Sequence, residues 1–128
     1  MQERYGITMS CENNFVNTVV KAIDDKKGKE ILVLDLAELT TLTNYFVIAT
    51  GSSNKNVQAI CDEVEEKMKE QGARLWNREG YDSGEWVLLS YDDVIVHIFQ
   101  SEIREFYKLE HIWKDAPSVD VDDLIKED

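Results

Sequence analysis

The sequence predicts an α/β fold of the α+β sandwich type, in which helices flank a mixed β-sheet of about five strands. Two observations support this fold class. Helical repeats of apolar residues occur near the start, in the middle and towards the end of the chain, and short apolar runs rich in β-branched and aromatic residues separate them. The order is helix, two strands, helix, three strands, helix, and it requires a sheet with helices packed on it. A chain of 128 residues is long enough for one domain of this kind.

The first helix and the first two strands follow from the spacing of apolar residues. Over residues 15–23 these recur at i, i+1, i+4, i+5 and i+8, which indicates an amphipathic helix. The polar sequence DDKKGK (24–29) ends it, and Gly28 is expected to provide a left-handed cap. The strands are ILVLDL (31–36) and YFVIAT (45–50), which are apolar on both faces, as strands covered on two sides are.

A second, longer helix is predicted after GSSNKN (51–56), with Ser53 or Asn54 as its N-cap. Gly72 is expected to end it. Five residues at helical spacing form the face expected to be buried: Val57, Ile60, Cys61, Val64 and Met68.

Three strands are predicted next. WNREGYDSGE (76–85) has the composition of a short strand followed by a turn-rich loop. WVLLSY (86–91) and VIVHIF (94–99) flank Asp92 and Asp93, which predicts a β-hairpin with a tight turn.

A single final helix is predicted from about Ser101 to Trp113, since apolar residues recur there at helical spacing. We therefore divide the chain into an N-terminal extension (1–12), a folded domain (13–114) and an acidic C-terminal tail (115–128). The tail lacks a regular apolar face, so it is expected to be held loosely and to be dispensable for folding.

The formal net charge is −12, from 14 basic and 26 acidic side chains. Proteins bind nucleic acid and anionic membranes through clustered Lys and Arg side chains, so such an acidic surface is unfavourable for both partners. A basic protein partner fits better, because opposite potentials speed encounter. The start of the chain has no apolar signal region and no apolar run could span a bilayer, so a cytoplasmic location is expected.

The glycine-serine loop at Gly51–Ser53 leaves two interpretations open. A turn of this type between a strand and a helix can cradle a phosphate, which would suit a nucleotide-binding or nucleotidyltransferase enzyme. Such an enzyme also needs carboxylates that hold metal ions, and Asp92 and Asp93 are adjacent, so on a strand they would face opposite ways. The favoured interpretation is a simple helix cap.

Metal, cofactor and nucleophile chemistry find little support in the sequence. Cys11, Cys61, His97 and His111 show none of the paired spacings of zinc sites, and no nucleophile elbow of the Gly-x-Ser-x-Gly type occurs. We therefore expect no catalytic residue, no metal and no cofactor.

His97 lies in the middle of the apolar run VIVHIF. Strand alternation places it on one face with Ile95 and Phe99, beneath a covering helix. A buried neutral imidazole that bonds a backbone carbonyl or a carboxylate is the common fate of such a residue, so a structural role is expected.

The runs NYFVIATGSS (44–53), REGYDSGEWVLLSYDDVIVHIF (78–99) and REFYKLEHIW (104–113) together resemble the Iojap family, the ribosomal silencing factors (RsfS). The resemblance covers about residues 13–114, with the motifs in the family's order. It implies a nucleotidyltransferase-like topology without transferase chemistry. It also implies a function: binding protein number fourteen of the large ribosomal subunit at the intersubunit face, which blocks subunit joining and represses translation. A homodimer when free is implied as well.

Three residues depart from the family pattern. Asn44 and Ser90 stand where the family has Asp, and Asp92 stands where it has Gly. Asp92 is therefore expected to adopt the left-handed conformation at some cost in strain.

The residues expected to bind the partner are exposed groups of the loop and the hairpin, although core packing is an equal alternative for the two aromatic residues at 86 and 91. They are Glu79, Tyr81, Trp86, Tyr91, Asp92 and Asp93. Binding without a block on joining, as in a large-subunit assembly factor, is the remaining alternative.

Overall fold

A computed structural model of the chain describes residues 14–125. Cys11 and the expected N-terminal extension lie outside this range. The first helix, α1 (Asn14–Asp25), confirms the first helical prediction. Its apolar side is buried from Val16 to Ile23, and Phe15 is partly buried.

The end of α1 differs from the prediction. Lys27 adopts the left-handed conformation (φ 69°), whereas Gly28 does not. Position 28 instead requires glycine because its backbone lies close to the Ile23 side chain. A Cβ there would lie 2.3 Å from Cγ2 of Ile23. The prediction of a left-handed cap at Gly28 is therefore wrong by one position.

The predicted mixed sheet is confirmed. Its five strands are arranged in the order β1-β2-β5-β4-β3. The strands β2 and β5 are parallel, and the other three neighbouring pairs are antiparallel. Their bounds are β1 (Lys29–Asp35), β2 (Tyr45–Gly51), β3 (Asn77–Glu79), β4 (Trp86–Ser90) and β5 (Val94–Gln100).

The second helix, α2 (Asn54–Glu70), covers one face of the sheet together with α1. All five residues of its predicted apolar stripe are buried. Gly72 follows with φ 81°, the left-handed conformation that glycine adopts readily, and ends the helix as predicted.

The opposite face carries a second apolar cluster, which includes Phe46, Ile48 and Phe99. Two short helices cover part of it, α3 (Ser101–Tyr107) and α4 (Leu109–Ile112).

The single final helix expected from the sequence is therefore wrong. Lys108, with φ 49°, breaks it. The break lets Leu109 and Trp113 pack on the second cluster, while Phe106 and Tyr107 stay exposed.

The C-terminal tail is docked, which corrects the expectation that it is loose. Val119 and Val121 are each 5% exposed and belong to the core beside α1. The amide of Val119 donates to the carbonyl of Val33 (2.8 Å), and a short 3-10 turn follows at Asp122–Leu124. In the tail, apolar residues alternate with polar ones instead of forming a helical face. The tail therefore adds an extended segment along the outer edge of β1.

The β4–β5 hairpin forms as predicted, and the Tyr91 amide donates to the Val94 carbonyl (2.9 Å). Among the described residues other than glycine, positive φ occurs at Lys27, Glu30 and Lys108. Asp92 is therefore not left-handed, and the strain expected there is wrong.

Candidate functional site

The loop between β2 and α2 satisfies its backbone with its own side chains. The amide of Ser52 donates to Asn56 Oδ1 (2.9 Å), and the amide of Asn56 donates to Ser53 Oγ (3.0 Å). A Cβ at Gly51 would lie 2.7 Å from Cγ2 of Val57, so strand and helix are in direct contact. The predicted cap at Ser53 is confirmed. Because both amides already have acceptors, this helix start offers few donors to a phosphate.

His97 is buried in β5, with 4% of its surface exposed. Its Nδ1 accepts a hydrogen bond from Nε1 of Trp86 at 3.1 Å. Burial lowers the pKa of His97 to about 4, so the imidazole is neutral at pH 7. Because Nδ1 accepts, the ring proton lies on Nε2, which has no hydrogen-bond partner within residues 14–125.

The burial expected for His97 is confirmed, but the expected carbonyl or carboxylate partner is wrong. Trp86 pairs with Phe99 across β4 and β5, two residues beyond His97. Trp86 and His97 are therefore diagonal neighbours on the two strands, and the long Trp86 side chain can reach the imidazole. The ring of Phe46 closes the other side, edge-on at 4.7 Å between centroids.

An aromatic row extends from Trp86 to the surface. Trp86 stacks on Phe99 with 4.7 Å between ring centroids, and the ring centroid of Tyr107 lies 4.9 Å from that of Trp86. Phe106 packs edge-on against Tyr107 at 5.0 Å. Phe106 is 77% exposed and Tyr107 51% exposed. We use the term aromatic row for Trp86, Tyr107 and Phe106.

The other candidate residues do not join the aromatic row. Tyr81 lies on the α2 side, where its hydroxyl donates to Asp62 Oδ1 (2.8 Å), and that hydrogen bond raises the pKa of Tyr81. Glu79 is exposed on the edge strand β3 and pairs across the sheet with Leu88, two residues from Trp86. The sheet therefore separates Tyr81 from Trp86.

The remaining candidates lie at the hairpin tip, at the far end of β4 from Trp86. Tyr91 is buried against α2 rather than exposed, and burial raises its pKa. The exposed carboxylate of Asp92 accepts a hydrogen bond from the indole of Trp76. Asp93 is half-buried, and its carbonyl accepts hydrogen bonds from the amides of Asn44 and Tyr45.

Asn44 fits this place in a way that the aspartate of the family pattern would not. Its amide Nδ2 donates to the carboxylate of Asp93 at 3.4 Å. Two carboxylates at this separation would repel each other. The departure at position 44 therefore matches the acidic residue at position 93.

Besides Trp76, which is 56% exposed, our sequence reasoning missed two exposed aromatic residues, Phe106 and Tyr107. It assigned both to the apolar side of one helix. Successive residues of a helix point about 100° apart, so two adjacent aromatics seldom both face the core. The adjacent pair in REFYKLE is the signal that could have found them.

Residues 14–125 contain no group of three or more His, Cys, Asp or Glu side chains placed to hold a metal ion. None of the helices described there combines the length and apolar character needed to cross a bilayer. Burial raises the pKa of the Cys61 thiol to about 12, which keeps it protonated and unreactive.

Comparison with known proteins gives a consistent result. A family model described as "Ribosomal silencing factor during starvation" matches residues 10–128. The chain is 39% identical over 106 residues to the ribosomal silencing factor RsfS of Halalkalibacterium halodurans, which covers 83% of this chain and 91% of the relative. It is 38% identical over 111 residues to RsfS of Bacillus subtilis, covering 87% of this chain and 94% of the relative.

The likeness extends to plant proteins and to solved structures. The chloroplastic protein Iojap of Zea mays is 30% identical over 108 residues, which is 84% of this chain and 47% of that protein. A crystal structure of a Chromobacterium violaceum protein superimposes with a TM-score of 0.77 at 39% identity, covering 78% of this chain and 83% of that one. A Bacillus halodurans structure gives a TM-score of 0.75 at 36% identity, covering 83% and 96%.

Proposed function

This chain belongs to the family of ribosomal silencing factors, and we propose that it silences ribosomes by covering a protein of the large subunit on the face that meets the small subunit. Ribosomal silencing during starvation is the activity that the family description names. The resemblance of the sequence motifs adds the finer steps, which are large-subunit protein number fourteen as the partner and steric blocking as the action. The proposed action involves no chemical reaction and no cofactor.

The observation that carries this proposal is the exposure of the aromatic row. Phe106 and Tyr107 are more than half exposed, and both are in the chain of ring contacts that begins at Trp86. Exposed apolar patches of a folded protein mark interaction surfaces, and aromatic residues dominate the energetic centres of interfaces. We infer that the partner covers this row.

Trp86 is held in place before any partner arrives. Its ring stacks on Phe99, and its indole N–H is fixed by His97. A side chain that is already ordered loses little conformational entropy on binding, which improves affinity. We therefore assign Trp86 as the central anchor and His97 as the residue that positions it.

In this proposal the charged candidate residues speed the encounter with the partner and do not anchor it. Glu79 lies on the edge strand near Trp86, whereas Asp92 and Asp93 lie at the hairpin tip. With a net charge of −12 the chain attracts a basic ribosomal protein over long range. Tyr81 and Tyr91 lie on the α2 side of the sheet, so in this proposal they do not contact the same surface.

Two further parts of the proposal concern the free protein. We propose that it acts in the cytoplasm, and that two copies pair when no ribosome is bound, using the same exposed aromatic surface. An apolar surface that waits for a partner is commonly covered by self-association.

A second candidate function is assembly of the large subunit. It is favoured by a mouse relative named "Mitochondrial assembly of ribosomal large subunit protein 1", which is 25% identical over 101 residues, or 77% of this chain and 44% of that protein. A joining assay separates the two functions. Silencing predicts that the protein prevents purified large and small subunits from sedimenting together, whereas an assembly factor would bind the large subunit and leave joining unaffected.

The enzyme alternative is tested separately, by titrating the protein with Mg-ATP in a calorimeter. The amide of Ser52 donates to Asn56 Oδ1 and the amide of Asn56 donates to Ser53 Oγ, which argues against a phosphate at the Gly51–Ser53 loop. We expect no heat of binding, and saturable heat would favour a nucleotide-binding protein.

A further inference from the structure

A cleft lies on the opposite side of the sheet from the aromatic row. It is open to solvent, has a volume of about 450 Å³, and runs between α2 and the segment that follows it. Its apolar side is formed by Ala73, Leu75 and Tyr91. A narrower cavity of about 110 Å³ at the hairpin tip shares Ala73 and Tyr91 with it. The two cavities therefore adjoin and together form one groove.

The rim of this cleft is mainly acidic. Asp62, Glu65 and Glu66 line it from one flank of α2, with Lys69 as the single basic residue there. The narrow cavity adds Asp92 and Asp93 against Arg74. A groove with this balance of charge attracts a cationic ligand and repels an anionic one.

Tyr91 supplies a separate observation that points to a ligand. The residue is 7% exposed, yet its hydroxyl makes no hydrogen bond within residues 14–125. The hydroxyl oxygen is also not among the fully enclosed polar atoms without a partner, so it opens into the cleft that the ring lines. Buried polar groups in folded proteins nearly always have a partner. This hydroxyl is therefore placed to bond a ligand in the cleft.

We propose that this cleft binds an extended basic peptide segment of another protein. An Arg or Lys side chain of that segment pairs with the carboxylate of Glu66, because the carboxylate of Glu65 already pairs with Arg78 at 3.1 Å, and the segment's backbone bonds the Tyr91 hydroxyl. A neighbouring apolar side chain rests on Ala73 and Leu75. Two adjoining cavities with an apolar side and an acidic rim suit a peptide chain better than a small cation.

The cleft and the aromatic row can be occupied together. Along β4, Val87 and Leu89 contact the same core as Tyr91, while Trp86 contacts the core of the other face. The sheet therefore stands between the two surfaces. A protein that uses both could hold its main partner on one face and a basic tail on the other.

The test is a fluorescence anisotropy titration of the full chain with a labelled peptide of sequence Gly-Arg-Gly-Arg-Leu-Arg-Gly-Arg-Gly at physiological ionic strength. We expect saturable binding, and Glu66→Lys should weaken it about tenfold, because an attraction becomes a repulsion. The matched control is Glu70→Lys, an exposed residue of the same helix that lines a different cleft. It should change the affinity by less than about twofold.

A second variant isolates the hydroxyl. Tyr91→Phe should weaken peptide binding about threefold, the usual effect of one hydrogen bond, while the melting temperature stays unchanged. Equal losses for Glu66→Lys and Glu70→Lys would show diffuse charge attraction and overturn the proposal. The absence of saturable binding would also overturn it, and so would a lowered melting temperature of Tyr91→Phe, since the hydroxyl would then have a partner within the protein.

Discussion

The indole of Trp86 donates its hydrogen bond to Nδ1 of His97 at 3.1 Å, across two antiparallel strands. The donor belongs to the proposed partner surface, and the acceptor is buried in the core. The bond requires a neutral imidazole, because a protonated ring has no free nitrogen to accept with. The proposed partner surface and the core are therefore connected through one side chain.

His97→Ala should lower the free energy of unfolding by about 1–3 kcal/mol, since it leaves a cavity and an indole N–H without an acceptor. Urea unfolding followed by tryptophan fluorescence measures the change. The matched control is His111→Ala, at the only other histidine of the chain and an exposed position, which should leave stability unchanged. A His97→Ala variant that unfolds like the wild type would show that this histidine does not support the core.

The free energy of unfolding should decrease as the pH is lowered, because of the same residue. The pKa of His97 is lowered by burial from 6.5 to about 4, so between these values the unfolded chain binds a proton that the folded chain does not. Above pH 6.5 the imidazole is neutral in both states and has no effect on stability, and the free energy of unfolding falls as the pH is lowered from 6.5 towards 4. A shift of this size corresponds to about 3 kcal/mol.

The pH effect is measured by unfolding the wild type and His97→Gln at a series of pH values. The many carboxylates titrate alike in both proteins, so the difference between the two curves reports His97. We expect a smaller loss of stability on acidification for the variant. Parallel curves would contradict a buried neutral histidine.

Removal of the docked tail should destabilise the fold. Val119 and Val121 are almost fully buried, and truncating either one to Ala should cost about 2 kcal/mol from lost apolar burial. Deleting residues 117–128 should lower the melting temperature by more than either point variant. The control Asp123→Ala removes an exposed side chain of the same tail. An unchanged melting temperature after the deletion would show that the tail contributes nothing to the core.

The sequence predicted the elements that depend on local periodicity, and it failed where tertiary contacts decide. The α2 stripe and the β5 run are regular over many residues, so their apolar spacing was sufficient. The tail segment SVDVDDLI is too short and too acidic to be recognised as a strand by itself. It becomes ordered because the open edge of β1 supplies its hydrogen-bond partners.

The candidate site shows the same limit. The motifs identified Trp86 and His97, but their hydrogen bond depends on strand register, which a single sequence does not reveal. The break at Lys108 depends on the fit of Leu109 and Trp113 to the sheet rather than on a helix-breaking residue, since lysine is a good helix former. The exposed Phe106 and Tyr107 follow from that break.

The end of α1 gives a paired backbone prediction. Lys27→Gly should stabilise the fold by about 1 kcal/mol, because glycine removes the penalty of the left-handed conformation. Gly28→Ala should destabilise it, because the new Cβ would lie 2.3 Å from Cγ2 of Ile23. Thermal melting of the two variants distinguishes these residues. The opposite order of stabilities would mean that Gly28 is the left-handed residue.

Association with the ribosomal partner should depend on salt. Attraction between the acidic chain and a basic protein is screened beyond about 10 Å at 0.1 M ionic strength, so the association rate should fall with salt while dissociation changes little. If the hairpin tip faces the partner, replacing Asp92 and Asp93 by Lys should have the same effect as high salt. Stopped-flow association with isolated large-subunit protein number fourteen measures both. If the association rate changes with neither salt nor the substitutions, the aromatic row remains as the main source of affinity.

The most direct test of the proposed function is a subunit-joining assay with matched surface variants. Phe106 is 77% exposed in the aromatic row, and Leu42 is 65% exposed in the loop before β2. Thr43, next to Leu42, donates to the Asp93 carbonyl at the end of the sheet remote from Trp86. Serine at either position should leave the melting temperature unchanged, because exposed side chains contribute little to stability.

In that assay, purified large and small subunits are mixed with each protein, and the joined ribosomes are separated by sedimentation. Wild type and Leu42→Ser should prevent joining at the same concentration. Phe106→Ser should require about tenfold more protein, because an aromatic contact with the partner is lost. If Phe106→Ser prevents joining as well as the wild type does, or if the wild type leaves joining unaffected, the aromatic row is not the surface that silences the ribosome.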